Sequence, residues 1–391
     1  MIGSLLGHCA QYRPHDIAVV FGDRRISFHE HHDRVGRCAS VLQGLGLRRG
    51  DAVAVFMSNC VEQLELYRAG ALLGIAMVPI SPLLQSAGVA MALRDSGAGA
   101  VFAQPSLCPV LTPLRAGLPH LAPERWVVTG PGEGDAASYE ALLAPAVPLP
   151  MPVDEVDPET PFNIMYSSGT TGDPKGIVLT HRIRMMYALQ FSAAFGIGHD
   201  SVVLHTGSLV FNGAFVTLLP AWLQGCTYIL GARFDAADFI ETVQREGVTH
   251  AMVVPSQIAA LLDAGNLSPE RLSSLRMLCT VGAPLPHEHR QRLMDVLPPN
   301  TFHELYGLTE GFATVLDGAD AAAHPGSVGI PLPFNYMRIV DTDGNDVAGG
   351  VVGEILGRGT LLMPGYHRRP ELTGQAIVDG WLHTGDLGYV D

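Results

Sequence analysis

Lysine is almost missing from this chain. Of its 24 basic residues only Lys175 is a lysine, which leaves 24 − 1 = 23 arginines. Several other absences narrow the class. The six cysteines (Cys9, Cys38, Cys60, Cys108, Cys226, Cys279) include no CxxC pair and no Cys/His metal spacing. That excludes a disulfide framework and a zinc ribbon, and predicts buried free thiols in a reducing cytoplasm. Positive charge is scarce, with a net charge of −14. A nucleic-acid partner is excluded on that ground, because a phosphate backbone demands a basic face. The most apolar stretch, residues 69–84, is broken by Pro79 and Pro82. It falls short of the ~20 residues a membrane span needs and reads as a helix followed by a buried strand. The N-terminal MIGSLLGHCAQYRP lacks the charged start and long apolar core of a signal peptide. There is no G-x-S-x-G elbow and no metal-ligand cluster.

What is present is the composition of an ordered globular protein, 47% hydrophobic and 16% charged over 391 residues, enough for two or three domains. The first part alternates helical and strand patterns. Ser27-Phe28-His29-Glu30 reads as a capping box opening a helix to about Leu45. Strands are expected at 52–57, 75–80 and 99–103, with helices at 61–73 and 89–96 between them. Residues 130–145 and 148–161 are rich in Pro, Gly and acids and read as surface connections. The rhythm resumes after residue 181, with strands expected near 201–205, 228–230, 250–254 and 277–281. From about Gly326 β and turn signals dominate, including a hairpin around Asp343-Gly344. The expected fold is α/β: two doubly wound units plus a small distorted β subdomain, divided at 1–165, 166–325 and 326–391. The run His29-Glu30-His31-His32-Asp33 spreads over different helix faces and reads as a solvated helix start rather than a metal patch.

The lone lysine lies in YSSGTTGDPKGIVLTH, residues 166–181. Ser167, Ser168, Thr170 and Thr171 supply hydroxyls there, and Gly169 and Gly172 let backbone approach an anion. With a compact ammonium at Lys175 the loop reads as a phosphate cradle, although it is not a Walker A sequence. A flexible surface turn would explain the glycines, but not the hydroxyls, Pro174 and sole lysine together. A second constellation is HELYGLTE, residues 303–310. Tyr306 offers a face for a purine, Gly307 removes bulk beside it, Thr309 adds a hydroxyl, and Glu310 is a hard oxygen ligand suited to Mg²⁺. Alone, that run reads equally well as a strand end with a solvated glutamate. A third is WLHTGDLGYVD, residues 381–391, where Asp386 has two oxygens for a ribose diol, though an Asp in a turn is common.

In this order the three constellations resemble the adenylate-forming superfamily, which includes acyl-CoA synthetases, adenylation domains of nonribosomal peptide synthetases and firefly-luciferase-like enzymes. RAGALLGIAMVPISPLL (68–84), VGAPLP (281–286) and GEILGRGTLLMPGYHRRPELT (353–373) extend the likeness over nearly the whole chain. The resemblance implies ATP-dependent conversion of a carboxylic acid to acyl-AMP, then transfer to a thiol of coenzyme A or a phosphopantetheine arm. A non-catalytic nucleotide- or acyl-binding protein is the alternative from another class. It implies that Ser167 to Gly172 and Lys175 cradle phosphates, with Thr170, Thr171 and Lys175 on the β/γ-phosphates. Gly282, Ala283, Pro284, Glu304, Leu305, Tyr306 and Gly307 would surround the adenine. Thr309 and Glu310 would serve the phosphates and Mg²⁺, and Asp386 the ribose. Family members continue into a hinge and a C-terminal domain carrying a further lysine. No residue here corresponds to it, so the sequence reads as the large N-terminal part alone, with poor adenylation expected if that domain is truly absent.

Two departures concern local chemistry. Ser81 and Leu83 stand where the family often has Asn and Arg. In the segment expected to line the acid pocket, VFNGAF (210–215), Phe211 takes the place of an aromatic gate and Asn212 follows. Amino-acid-activating members usually carry Asp at that point. A neutral amide cannot pair with an ammonium, so the resemblance implies an aryl or small-to-medium aliphatic acid, with Phe211, Asn212, Phe215, Gly307 and Phe312 around it. Asn212 as a turn residue bonded to backbone is the alternative.

Overall fold

A computed structural model describes residues 2–132, 136–150, 156–167 and 174–391. Among them three sheets form. The first has seven strands in the order Ala137–Ser138, Trp126–Val128, Ala100–Ala103, Ala52–Phe56, Ala76–Pro79, Pro161–Ser167, Lys175–Thr180. Only the last pair is antiparallel. Ala52–Phe56 is buried at all five positions, which is why AVAVF is continuously apolar instead of alternating.

The second sheet has nine strands: Ile330–Pro331, Phe312–Leu316, Phe302–Leu308, Met277–Val281, His250–Val253, Val202–His205, Thr227–Leu230, Ile17–Phe21, Arg24–Ser27. Its interior is parallel and both edges are antiparallel. The third is an antiparallel sheet of four: Asn335–Val340, Gly353–Gly359, Trp381–Gly388 and Ile377–Val378. A single apolar core joins the two large sheets, containing Val53 and Met77 from one and Val203 and Tyr228 from the other. The helix Val61–Leu73 runs through that core, buried at every position except Glu62. The third sheet packs Ile339, Ile355 and Leu382 against Phe312 of the second sheet in a small core.

The structure departs from the sequence reading at several points. Ile17–Phe21 and Arg24–Ser27 form a hairpin that went unrecognised. It joins the second sheet through Val19 opposite Tyr228. The hairpin Pro161–Ser167/Lys175–Thr180 spans residue 165, where the first boundary was expected, and stays in the first sheet. The connection expected at 130–145 contains Ala137–Ser138 and a helix, Tyr139–Leu143. Tyr139 is buried there because its hydroxyl donates to Glu65 (2.8 Å), inside the core helix. The helix Phe28–Gly44 begins as expected, Ser27 Oγ accepting from Glu30 N (3.2 Å). Its His31, expected to be solvated, is fully buried. Desolvation, then the nearby Arg68 and Arg34, holds the imidazole neutral. All six cysteines are buried. Burial lifts Cys38 and Cys226 to about 12, so neither is a nucleophile at neutral pH. No helix among the described residues is long and apolar enough to cross a membrane.

Candidate active site

Lys175 opens the strand Lys175–Thr180. That strand is held by a distant segment: His367 N donates to Gly176 O (2.6 Å) and Val178 N to Gly365 O (3.3 Å). The clamp sets the Tyr366 ring beneath the lysine, with Nζ 5.3 Å from the ring centroid. The Tyr366 hydroxyl in turn donates to Glu310 Oε1 (3.0 Å). Burial and then the Glu310 charge push the phenol's pKa up, so it remains a donor at neutral pH. One phenol thus bridges the sole lysine and the expected magnesium ligand. Ser168, Gly169, Thr170, Thr171 and Gly172 lie outside the described residues. Ser167 ends the strand Pro161–Ser167, paired with Lys175.

Thr309 and Glu310 occupy the turn between Phe302–Leu308 and Phe312–Leu316, and Met363 N donates to the Glu310 carbonyl (2.8 Å). Gly307 is required by packing: a Cβ there would run into the Phe312 carbonyl oxygen. Beside it Tyr306 donates its hydroxyl to Asp386 Oδ2 (2.8 Å). The expected base-stacking ring and ribose carboxylate are therefore in direct contact. Asp386 is held by a pinned turn in which its N–H donates to Thr384 Oγ1 (3.1 Å). Thr384 donates to Ile355 O (2.7 Å), and Gly385 N to Glu354 Oε1 (3.1 Å). Gly282, Ala283 and Pro284 form an exposed turn after Met277–Val281. At Gly282 φ is +96°, a conformation that favours glycine. Glu304 and Leu305 turn their side chains inward. Glu304 is ion-paired with buried Arg290, and Leu305 is in the core.

In the expected acid segment, Phe211 is exposed and Asn212 half-buried. Phe215 is fully buried, set edge-on to Phe162 (6.1 Å), and Phe312 is buried against Tyr306 (6.4 Å). Asn212 bonds side chains rather than backbone. Its Oδ1 accepts from Arg184 Nη1 (2.8 Å) and its Nδ2 donates to the Tyr187 hydroxyl (3.0 Å). Gly213 abuts Met252 and Val281, so a Cβ there would sit 3.3 Å from Met252 Cε and 4.0 Å from Val281 Cγ1. This places the segment beside the turn at Gly282.

Sequence reasoning passed over three residues here. Tyr366 lay in the quoted run MPGYHRRPELT without a role. Asp95 accepts from Tyr166 (2.8 Å) and Arg369 (2.7 Å), tying the strand that leads into residues 168–173 to the segment after Tyr366. Arg184 sits on the buried face of the helix His181–Phe195, and an arginine among Ile183, Tyr187 and Phe191 was the available signal.

A family model described as AMP-binding enzyme matches residues 6–367. The chain is 33% identical to a feruloyl-CoA synthase from Amycolatopsis sp, over 100% of this chain and 76% of that protein. It is 29% identical to a fatty acid–[acyl-carrier-protein] ligase from Streptomyces coeruleorubidus, over 98% and 73%. Its fold superposes with a TM-score of 0.87 and 26% identity on o-succinylbenzoate CoA synthetase from Bacillus subtilis in complex with its acyl-adenylate intermediate, covering 99% of this chain and 76% of that one. With the match running from the first helix to the residue beyond Tyr366, the chain belongs to the AMP-binding enzyme family.

Proposed function

We propose that the protein is an acid–thiol ligase that activates a carboxylic acid with ATP and delivers it to coenzyme A. The observation that carries this reading is the Tyr366 bridge, which unites the one lysine with Glu310 across two segments 135 residues or more from the lysine in sequence (310 − 175 = 135). A carboxylate oxygen attacks the α-phosphorus, the bond to the bridging oxygen breaks, and pyrophosphate leaves. The nucleophile is already ionised at neutral pH, so no general base is needed. The thiol sulfur then attacks the acyl carbon, its proton passes to solvent, and AMP departs with the former carboxylate oxygen.

The side chains work by position and charge. Lys175, with Thr170 and Thr171, holds the β/γ-phosphates. Tyr306 stacks on adenine while Asp386 receives the ribose hydroxyls. Glu310 gives one oxygen to Tyr366, and its other oxygen has no hydrogen bond among the described residues. One hard oxygen beside Thr309 suits Mg²⁺ held mainly by phosphates and water, where the ion would neutralise phosphate charge. The acid is an aryl or small-to-medium aliphatic one, seated near Phe211 and Asn212. Acid-dependent exchange of radiolabelled pyrophosphate into ATP tests the reading. Exchange with one acid class, lowered ~10²–10³-fold in Lys175→Ala, is expected. No exchange with any acid, and no nucleotide binding, overturns it.

The relative that is an acyl-carrier-protein ligase favours a second reading, in which the acceptor is a phosphopantetheine arm on a carrier protein. Offering CoA and a loaded-ready carrier in parallel distinguishes the two.

A further inference from the structure

Arg184 is the largest side chain that is completely buried among the described residues. It has no carboxylate partner among them. Its Nε and Nη2 donate to Asn163 Oδ1 (3.2 and 3.1 Å), Nη2 also approaches Met165 Sδ (3.2 Å), and Nη1 donates to Asn212 Oδ1 (2.8 Å). The guanidinium lies over the rings of Phe215 (4.2 Å) and Tyr187 (4.9 Å). Every one of these neighbours is neutral. Other arginines are treated differently: buried Arg290 is paired with Glu304, and half-buried Arg34 with Glu65 (2.5 Å). Arg68 also has no acid partner among the described residues, but it stacks on Trp222 (4.2 Å).

A guanidinium withdrawn from water is stabilised most by an anion that takes its planar fork in two hydrogen bonds. Arg184 has only amide oxygens, a thioether and π faces, and desolvation pulls its pKa down to about 10. The amide that occupies Nη1 belongs to Asn212, which is half-buried between exposed Phe211 and the Gly213–Val281 contact. The charge is thus one replaceable amide away from the acid segment.

We propose that Arg184 is the counter-ion for a second anionic group on the acid, so that the substrate is a dicarboxylic or sulfo-carboxylic acid. The distal oxyanion takes the Nη1 edge now held by Asn212, and the other carboxylate is the one adenylated. Asn163 fixes the opposite edge and keeps the fork aimed. This inference rests on the ligase reading and names its substrate class.

Sulfamoyl-adenosine analogues of the acyl-adenylate decide it by calorimetric titration, since they need no turnover. Pairs of equal length are used, aliphatic and aryl, ending in an uncharged group or in a carboxylate. A third series ending in sulfonate separates the two oxyanion sources. The carboxylate- or sulfonate-ended member of a pair is expected to bind at least ~10-fold tighter. Arg184→Gln is expected to abolish that preference, so that the charged and uncharged members of a pair bind alike. Uncharged analogues binding as well as charged ones at every length overturns the proposal, as does a preference that survives Arg184→Gln. If the variant does not fold, the wild-type preference decides alone. If neither analogue nor AMP binds, the ligase reading itself fails and this one with it. Charge-blind binding with AMP intact defeats only this one.

Discussion

A phenol that donates to one carboxylate while lying under an ammonium couples two groups that would otherwise act separately. Tyr366 does this for Lys175 and Glu310. Tyr366→Phe keeps the ring and removes the donor. ATP affinity in the presence of Mg²⁺ is expected to fall roughly 3–10-fold, the scale of one net hydrogen bond, with AMP affinity nearly unchanged. An equal loss for both nucleotides would place Tyr366 elsewhere in function. Asp386→Asn retains an acceptor for Tyr306 but loses the charge. AMP affinity is expected to fall about 10-fold in titration, and an unchanged value would remove Asp386 from the ribose site. Glu310 and Asp386 stand out in the sequence because Gly311 and Gly385 beside them mark turns, and Tyr306 because Gly307 leaves no side chain beside its ring. Arg184 was signalled only by its place on an apolar helix face, which does not reveal its partners Asn163 and Asn212.

The helix Val61–Leu73 shows what an element can bury when its polar residues are answered. Glu65 is fully buried. It receives Arg34 Nε (2.5 Å) and Nη2 (3.1 Å) and the Tyr139 hydroxyl (2.8 Å). Desolvation raises the Glu65 pKa against the pull of Arg34. Removing the cation leaves that carboxylate alone in the core, so Arg34→Ala is expected to destabilise by about 3–5 kcal/mol in chemical denaturation. Glu140 is the exposed partner of the same guanidinium, and Glu140→Ala is expected to cost about 1 kcal/mol or less. Equal effects would mean that burial does not govern this network. At this scale the parallel strands were readable as continuous Val/Ala runs. The Tyr139–Leu143 helix was not, since its burial comes from a contact with Glu65 that local composition does not encode. The Ile17–Phe21 hairpin has a partner strand about 200 residues away, beyond the reach of local pattern.

At the scale of the whole molecule, buried histidines set the response to acid. Burial lowers the pKa of His181, His205 and His250 to about 4 each. Each is lowered from an unfolded value of about 6.5, so the unfolded state binds protons first as pH falls. The stability these neutral rings contribute is complete above about pH 6.5 and is lost between there and pH 4, at about 2 kcal/mol per histidine by pH 5. The thermal midpoint is expected to fall steeply from pH 7 to pH 5, and less so in His205→Asn. A flat profile would show that these rings are not buried neutral. A core shared by the two large sheets, with the small sheet bringing Asp386 to Tyr306, makes the proposed nucleotide site a property of all three. Calorimetric titration of the folded protein with aryl and aliphatic acyl-sulfamoyl-adenosines tests that most directly. Saturable one-to-one binding, weakened by both Lys175→Ala and Asp386→Ala, is the predicted result. No binding by any analogue would contradict the assignment of an adenylate site to this chain.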